Sequence, residues 1–200
     1  MNATDYDAEA PHYDETRGGQ ARAESAAHAI GSMLPSSRAL VIADIAGGTG
    51  IVAAALATQG RRVVVLDLST GMLQQAARRL PGYQVRATAL ALPMRDASVD
   101  VVTCIWFLHL LERHDDLVTV VGEVARVLKP GGRFVTTVDK DAACGTTRDR
   151  PPTDHRERVE AACQDSGLRY VGSTEFVGHG QRSESSDPVY VLSAFSRGYR

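Results

Sequence analysis

The chain has 200 residues, 44% hydrophobic and 23% charged, with a formal net charge of −2. That is enough chain and enough apolar material for one ordinary globular core, and the charge balance provides no field to draw nucleic acid or anionic lipid. No apolar run approaches the ~20 residues of a membrane span, the acidic start MNATDYDAEAPHYDE lacks the basic end and apolar centre of a signal peptide, and Cys104, Cys144 and Cys163 have no CxxC spacing, so a reduced, cytoplasmic protein without disulfide frame or zinc site is expected.

Residues 1–19 are polar and rich in Tyr, Asp and Gly. They precede a predicted helix from Gln20 to Leu34, whose loose apolar face carries Ala21, Ala27, Ile30, Met33 and Leu34. Residues 1–34 are read as an N-terminal segment and helix, and 35–200 as the main domain. Pro35-Ser36-Ser37 ends the helix. Leu40-Val41-Ile42-Ala43 is too short for a helix and suits a buried parallel strand. Asp44 follows, then Ala46-Gly47-Gly48-Thr49-Gly50, then an alanine-rich helix from Val52 to Ala57.

Strand, glycine turn and helix in that order form a nucleotide-binding unit. The glycines let backbone approach a ligand, and the helix N-terminus offers free N–H groups. Gly48-Thr49-Gly50-Ile51-Val52-Ala53 also fits the dinucleotide pattern G-x-G-x-x-A. Taken alone, the turn admits a nicotinamide cofactor, another adenosyl ligand, or simple close packing of helix on strand.

Gln59-Gly60 closes that helix. Val63 to Leu66 is a second all-apolar strand, ending at Asp67, and Ser69 or Thr70 can cap the next helix, which carries Met72, Leu73, Ala76, Ala77 and Leu80. Pro81-Gly82 breaks it. A short third strand covers Gln84 to Thr88, followed by the connector Ala91-Leu92-Pro93-Met94 and the turn Asp96-Ala97-Ser98. A fourth strand spans Val99 to Trp106. Asp115 is expected to cap a helix from Asp116 to Leu128, with Leu117, Val120, Val121, Val124 and Val127 on one stripe. Lys129-Pro130-Gly131-Gly132 is expected to stop it. A fifth strand covers Phe134 to Val138, and a polar loop Asp139 to Pro152. Thr153 would cap a helix to Ser166. Leu168 to Thr174 and Val189 to Phe195 are two last strands with no helix between them. The alternation predicts an α/β, doubly wound, mostly parallel sheet with one antiparallel edge strand.

Four segments together carry a specific resemblance: DIAGGTG, VVLDLSTGML, ALALPMRDASVDVVTCIWFLHLL and VARVLKPGGRFVTTV. In this order they resemble class I S-adenosylmethionine-dependent methyltransferases, in particular the small-molecule branch that includes ubiquinone/menaquinone-type enzymes. The resemblance covers about residues 40–138. It implies a Rossmann-like sheet of seven strands in the order 3-2-1-4-5-7-6 with strand 7 antiparallel, S-adenosyl-L-methionine as cofactor and S-adenosyl-L-homocysteine as product.

By that resemblance, Gly47, Gly48 and Gly50, with Ala46 in the first glycine slot, lie against the methionine and ribose of the cofactor. Asp67 accepts from the ribose hydroxyls, with helix capping as its structural alternative. Leu68 and Met72 flank the adenine. Asp44 orients the loop or reaches the cofactor's ammonium, and Ile105 ends the fourth strand beside it. Where the family often has an acid before the L-P connector, this chain has Ala87-Thr88-Ala89, so adenine contact falls to Thr88, Ala89 and Leu90. The lead-in Tyr6-Asp7…Tyr13-Asp14-Glu15-Thr16-Arg17-Gly18-Gly19 implies that Tyr13 and Arg17 close over the cofactor, Arg17 near its carboxylate, as a glycine-hinged lid that orders on binding; a floppy polar terminus is the other reading.

Methyl transfer is an in-line displacement at a sulfonium, so the protein mostly positions the acceptor and removes a proton where needed. Trp106 and Phe107 could wall an acceptor pocket or pack in the core. His109 and His12 are candidates for a general base or acceptor-orienting group, with capping as the alternative for His109; Glu112 and His179 lie on loops at the same sheet edge. No metal-ligand spacing occurs. The reading is a metal-independent methyltransferase of a small-molecule acceptor, most readily at oxygen or nitrogen, acting as monomer or homodimer. An NAD(P)-dependent oxidoreductase and a non-catalytic cofactor-binding interaction protein are the alternatives; a cofactor titration separates the first and an acceptor assay the second.

Overall fold

The computed structural model describes residues 5–37, 39–57, 60–139, 155–179 and 187–199. Gln59, Cys144, Thr153 and most of the polar loop expected over 139–152 lie outside them, as do residues 180–186 between the last two strands. Among the described residues seven strands form one sheet: β1 (Val41–Ile45), β2 (Arg62–Asp67), β3 (Gln84–Arg86), β4 (Val99–Cys104), β5 (Leu128–Asp139), β6 (Leu168–Val177) and β7 (Val189–Arg197). Their order is β3-β2-β1-β4-β5-β7-β6. β7 runs antiparallel to β5 and β6, and the other pairings are parallel. This is the Rossmann-like order and the antiparallel seventh strand that the sequence resemblance implies.

Helices cover both faces of the sheet. On one side α3 (Gly19–Met33), α4 (Ile51–Leu56) and α5 (Thr70–Arg79) pack Ile30, Leu56 and Ala76 onto Ile42, Val63 and Val65. On the other, α6 (His114–Val127) and α7 (His155–Asp165) pack Leu117, Val121, Val124 and Val159 onto Val102, Phe134 and Phe195. The central strands are buried on both faces, which is why they read as unbroken apolar runs. Succession reverses between β1 and β4, and ligands of open α/β sheets bind outside the carboxyl ends of strands at such a point.

Several local expectations are corrected. The buried face of α3 is Arg22, Ala23, Ala26, Ala27, Ala29, Ile30 and Met33, and Ala21 is exposed. α6 starts at His114 with Arg113 at its cap position and no side-chain cap bond, so Asp115 lies inside the first turn. There its charge favours the positive helix end without bonding an amide. Lys129-Pro130-Gly131-Gly132 does not precede β5 but lies within it. The ladder pairs Val99 with Leu128, then Val101 with Arg133, and the extra residues form a bulge. Lys129 donates to Asp100 at 2.8 Å, and a Cβ on Gly132 would sit 3.0 Å from the Asp100 carbonyl oxygen, so the bulge needs glycine there. Strand β4 ends at Cys104, and Trp106 follows at φ +60°.

Before α3, the polar lead-in forms two helical turns, α1 (Tyr6–Glu9) and α2 (Tyr13–Thr16). Asp5 caps the first by accepting from the Asp7 and Ala8 amides. This arm lies against α5, where Asp7 accepts from the Ser69 hydroxyl at 2.5 Å and the Gly71 amide at 2.7 Å. Asp14 accepts from the Thr49 hydroxyl and from Arg79, each at 2.7 Å.

Candidate active site

A cavity of about 530 Å³ opens at the carboxyl ends of β1, β2 and β4, a volume within the range of small-ligand sites. One part of its wall is polar. Asp44, last but one in β1, is 2% exposed. The parallel register sets Thr103 beside it, and the Thr103 hydroxyl donates to its Oδ1 at 2.6 Å. Its Oδ2 is buried and has no hydrogen-bond partner among the described residues. Burial pushes the Asp44 carboxyl up to about 7, against the Thr103 bond, which lowers it, and with help from the nearby Asp67 charge. A buried acid with one unanswered oxygen is a ready partner for a cation or hydrogen-bond donor.

The glycine turn is shaped around that acid. A Cβ on Gly47 would lie 2.6 Å from Asp44 Oδ2, and Gly48 turns at φ +56° with only Met72 Sδ, at 3.8 Å, near its missing side chain. The turn is a bare-backbone ledge facing the cavity. Ala46, in the first glycine slot, also has positive φ, at +52°. Gly50 serves the fold instead, since its Cβ would strike Ala76 on α5 at 2.9 Å. Asp67 ties the ledge to β2. Its Oδ2 accepts from the Gly48 amide and its Oδ1 from the Ser69 amide, each at 2.9 Å. Capping and ligand binding are compatible in one carboxylate, because each oxygen retains a free lone pair.

The rest of the lining includes a large apolar set: Ile45, Leu92, Ile105, Trp106, Phe107, Leu110 and Leu111. Leu68, Leu90 and Leu110 rim the mouth, 63%, 41% and 45% exposed. Single exposed leucines are unremarkable, but three around one opening mark an apolar entrance.

The cavity thus gathers Tyr13, Asp44, Ala46, Gly47, Gly48, Asp67, Leu68, Met72, Thr88, Ala89, Leu90, Ile105 and Trp106. It does not gather Arg17, Gly50, His109 or His12. Arg17 pairs with Glu9 at 3.3 Å and stacks over Tyr13 at 5.3 Å. His12 is exposed beside Glu15 at 3.4 Å. His109 is half-buried in the short turn Leu108–Leu110, outside the lining. Glu112 and His179 also lie outside it. Groups of His, Cys, Asp or Glu that could hold a metal do not occur among the described residues.

Sequence reasoning missed the carboxylate latches of the arm and it missed Arg22. The signal for Arg22 was its spacing: 22, 26, 30 and 33 share one helix face, so an arginine there is carried into the interior.

Residues 43–136 match a protein family described as a methyltransferase domain. A demethylmenaquinone methyltransferase of Clavibacter sepedonicus is 46% identical over 99 residues, spanning 47% of this chain and 39% of that protein. A ubiquinone/menaquinone biosynthesis C-methyltransferase of Rubrivivax gelatinosus is 43% identical over 97 residues, 47% of this chain and 37% of that one. The chain therefore matches under half the length of these curated relatives. A SAM-dependent methyltransferase structure from Thermotoga maritima superposes with a TM-score of 0.73 at 18% identity, covering 96% and 98% of the two chains, which establishes the shared fold.

Proposed function

We propose that this chain, which matches a methyltransferase domain over residues 43–136, is a class I S-adenosylmethionine-dependent methyltransferase that transfers a methyl group to an apolar small-molecule acceptor. The observation that carries the reading is that one cavity is lined both by acids with bare glycines, here called the cofactor wall, and by aromatic and leucine side chains, here called the acceptor wall. The first fits the cofactor. Asp44 Oδ2 is an orphaned buried acceptor suited to a cationic group, Gly47 and Gly48 leave the ledge bare, and Asp67 stands at the rim of β2 with lone pairs to spare for hydroxyls. Leu68, Met72, Thr88, Ala89 and Leu90 would sandwich the adenine.

When bound, S-adenosylmethionine supplies an electrophilic methyl on a sulfonium. The chain's own task is to align the acceptor and exclude water. Ile105, Trp106 and Phe107 would align it, and Tyr6 and Tyr13 would roof the site. Neither His109 nor His12 lines the cavity, so neither is proposed as the base. The names of the relatives support a quinone-like ring methylated at carbon, ahead of the oxygen or nitrogen acceptors that the sequence favours.

The test is mass spectrometry after incubation with S-adenosylmethionine and a panel of reduced quinones, phenols and amines. The expected result is one added methylene on a reduced quinone, together with S-adenosylhomocysteine. Product confined to amines would reject the acceptor class. Cofactor binding with no product on any acceptor would favour the non-catalytic alternative.

A further inference from the structure

Trp106 is an outlier that its surroundings enforce. It is a non-glycine residue at φ +60°, a conformation that costs about 1–2 kcal/mol and persists only where neighbours over-determine it. Its amide donates to the Thr137 hydroxyl at 2.9 Å. Its ring meets Phe176 and Tyr190 edge-on, with centroids 5.8 and 5.5 Å apart. On its face lies the guanidinium of Arg22, 3.5 Å from the ring centroid.

Arg22 is itself 7% exposed, and two of its hydrogen bonds aim it. One donates to the Tyr190 hydroxyl at 3.3 Å, and the other to the carbonyl oxygen of Arg17 at 2.9 Å. Arg17 is the last residue of the arm, at the C-terminal end of α2. The arm then turns through Gly18 and Gly19, both at positive φ. Gly18 has no room for a Cβ, which would collide with the His179 carbonyl oxygen. A displacement of the arm must therefore move the carbonyl that anchors Arg22.

We infer that Arg22 is a positioning residue that couples the seating of the arm over the cofactor wall to the pose of Trp106 in the acceptor wall. A seated arm presents the Arg17 carbonyl, the guanidinium stays flat on the indole, and the indole holds its place beside the acceptor space. An unseated arm withdraws that carbonyl, and the guanidinium loses that anchor. Stacked cation and ring attract most strongly where water is excluded, as it is here. The functional meaning rests on the methyl-transfer reading, but the coupling itself needs no turnover.

Trp106 is the sole tryptophan of the chain, so its emission reports this wall alone. The experiment unlatches the arm with the pair Asp7→Ala and Asp14→Ala and records tryptophan emission with and without a further Arg22→Met, with far-UV circular dichroism as the check of fold. With Arg22 present, unlatching should shift the emission to the red. In the Arg22→Met background the same unlatching should add no shift. An emission unmoved by unlatching overturns the coupling, and so does an equal shift in both backgrounds. Should Arg22→Met fail to fold, Arg22→Lys, which retains the charge but donates from a single nitrogen, takes its place: a reduced shift supports the coupling, and a full one overturns it. No acceptor or cofactor enters these measurements, so their outcome is independent of whether the methyl-transfer reading holds.

Discussion

Asp44 and Asp67 stand at the ends of adjacent strands and do different work because their surroundings differ. Asp44 is buried with one oxygen unanswered, and its carboxyl is raised from 3.8 to about 7. Ligand-free protein therefore keeps it largely protonated near pH 6, whereas a cationic cofactor favours the carboxylate. Calorimetry in buffers of different ionisation enthalpy should show a proton released on S-adenosylmethionine binding near pH 6, and affinity rising between pH 6 and 8; Asp44→Asn should flatten both. The stability of the ligand-free protein should run the other way. The unfolded acid ionises first, so this group's penalty on folding grows as pH rises through the interval between those two values and is complete above about 7. Asp67→Ala should weaken cofactor binding by about 1–3 kcal/mol, the scale of hydrogen bonds to a charged group, and unchanged affinity in a folded variant would remove Asp67 from the site. Ala46 is held at φ +52°, so Ala46→Gly should raise stability by roughly 0.5–1 kcal/mol in denaturant melts, strain relief exceeding the entropy a glycine adds to the unfolded chain. The acids and glycines of this wall were legible because spacing alone fixes them at strand ends. Of Arg22 only its place on the buried face of α3 could be read from the spacing; its role could not, because Trp106 and Tyr190, which receive the guanidinium, come from distant parts of the chain.

At the level of elements, the arm and the start of α5 form one joint. Ser69 caps α5 by accepting from the Met72 amide, and Asp7 reaches across to the Gly71 amide. Gly71 is also where the arm lies closest, since a Cβ there would meet the Asp7 carbonyl oxygen at 2.9 Å and Ala10 Cβ at 3.2 Å. Gly71→Leu should therefore lift the arm and leave the sheet intact. Hydrogen exchange across residues 5–17 should accelerate while β1 and β4 remain protected; unchanged exchange in the arm would show that it does not depend on this contact. The sequence marked this stretch as polar and glycine-hinged, but its seat is held by Asp7 and Asp14 finding donors between 35 and 65 residues away, pairings that no local pattern announces. The same limit explains β5. Lys-Pro-Gly-Gly is a chain-breaking signal in isolation, and only the partner strand turns it into a bulge.

For the whole molecule, the alternation of apolar runs and amphipathic stripes was sufficient to predict a doubly wound, mostly parallel sheet, since handed crossovers leave few arrangements for such a pattern, whereas the strand order came with the family resemblance and not from the pattern. The choice of ligand is testable at this scale as well. S-adenosylmethionine at ~100 times its Kd should stabilise the fold by about 2.7 kcal/mol, roughly 5–10 °C in Tm for a chain of this size, while NADH at the same concentration should leave the melt unmoved. A shift with NADH alone would restore the oxidoreductase reading. The acid-and-glycine wall draws on residues 44–90, whereas the support behind Trp106 includes a bond between residues 168 positions apart, Arg22 and Tyr190. Contacts that distant close late, because a long loop must be ordered first. On the ribosome, the glycine turn, Asp44 and Asp67 emerge well before β6 and β7, so on the methyl-transfer reading a half-synthesised chain carries the ledge proposed for the donor and none of the bracing behind Trp106.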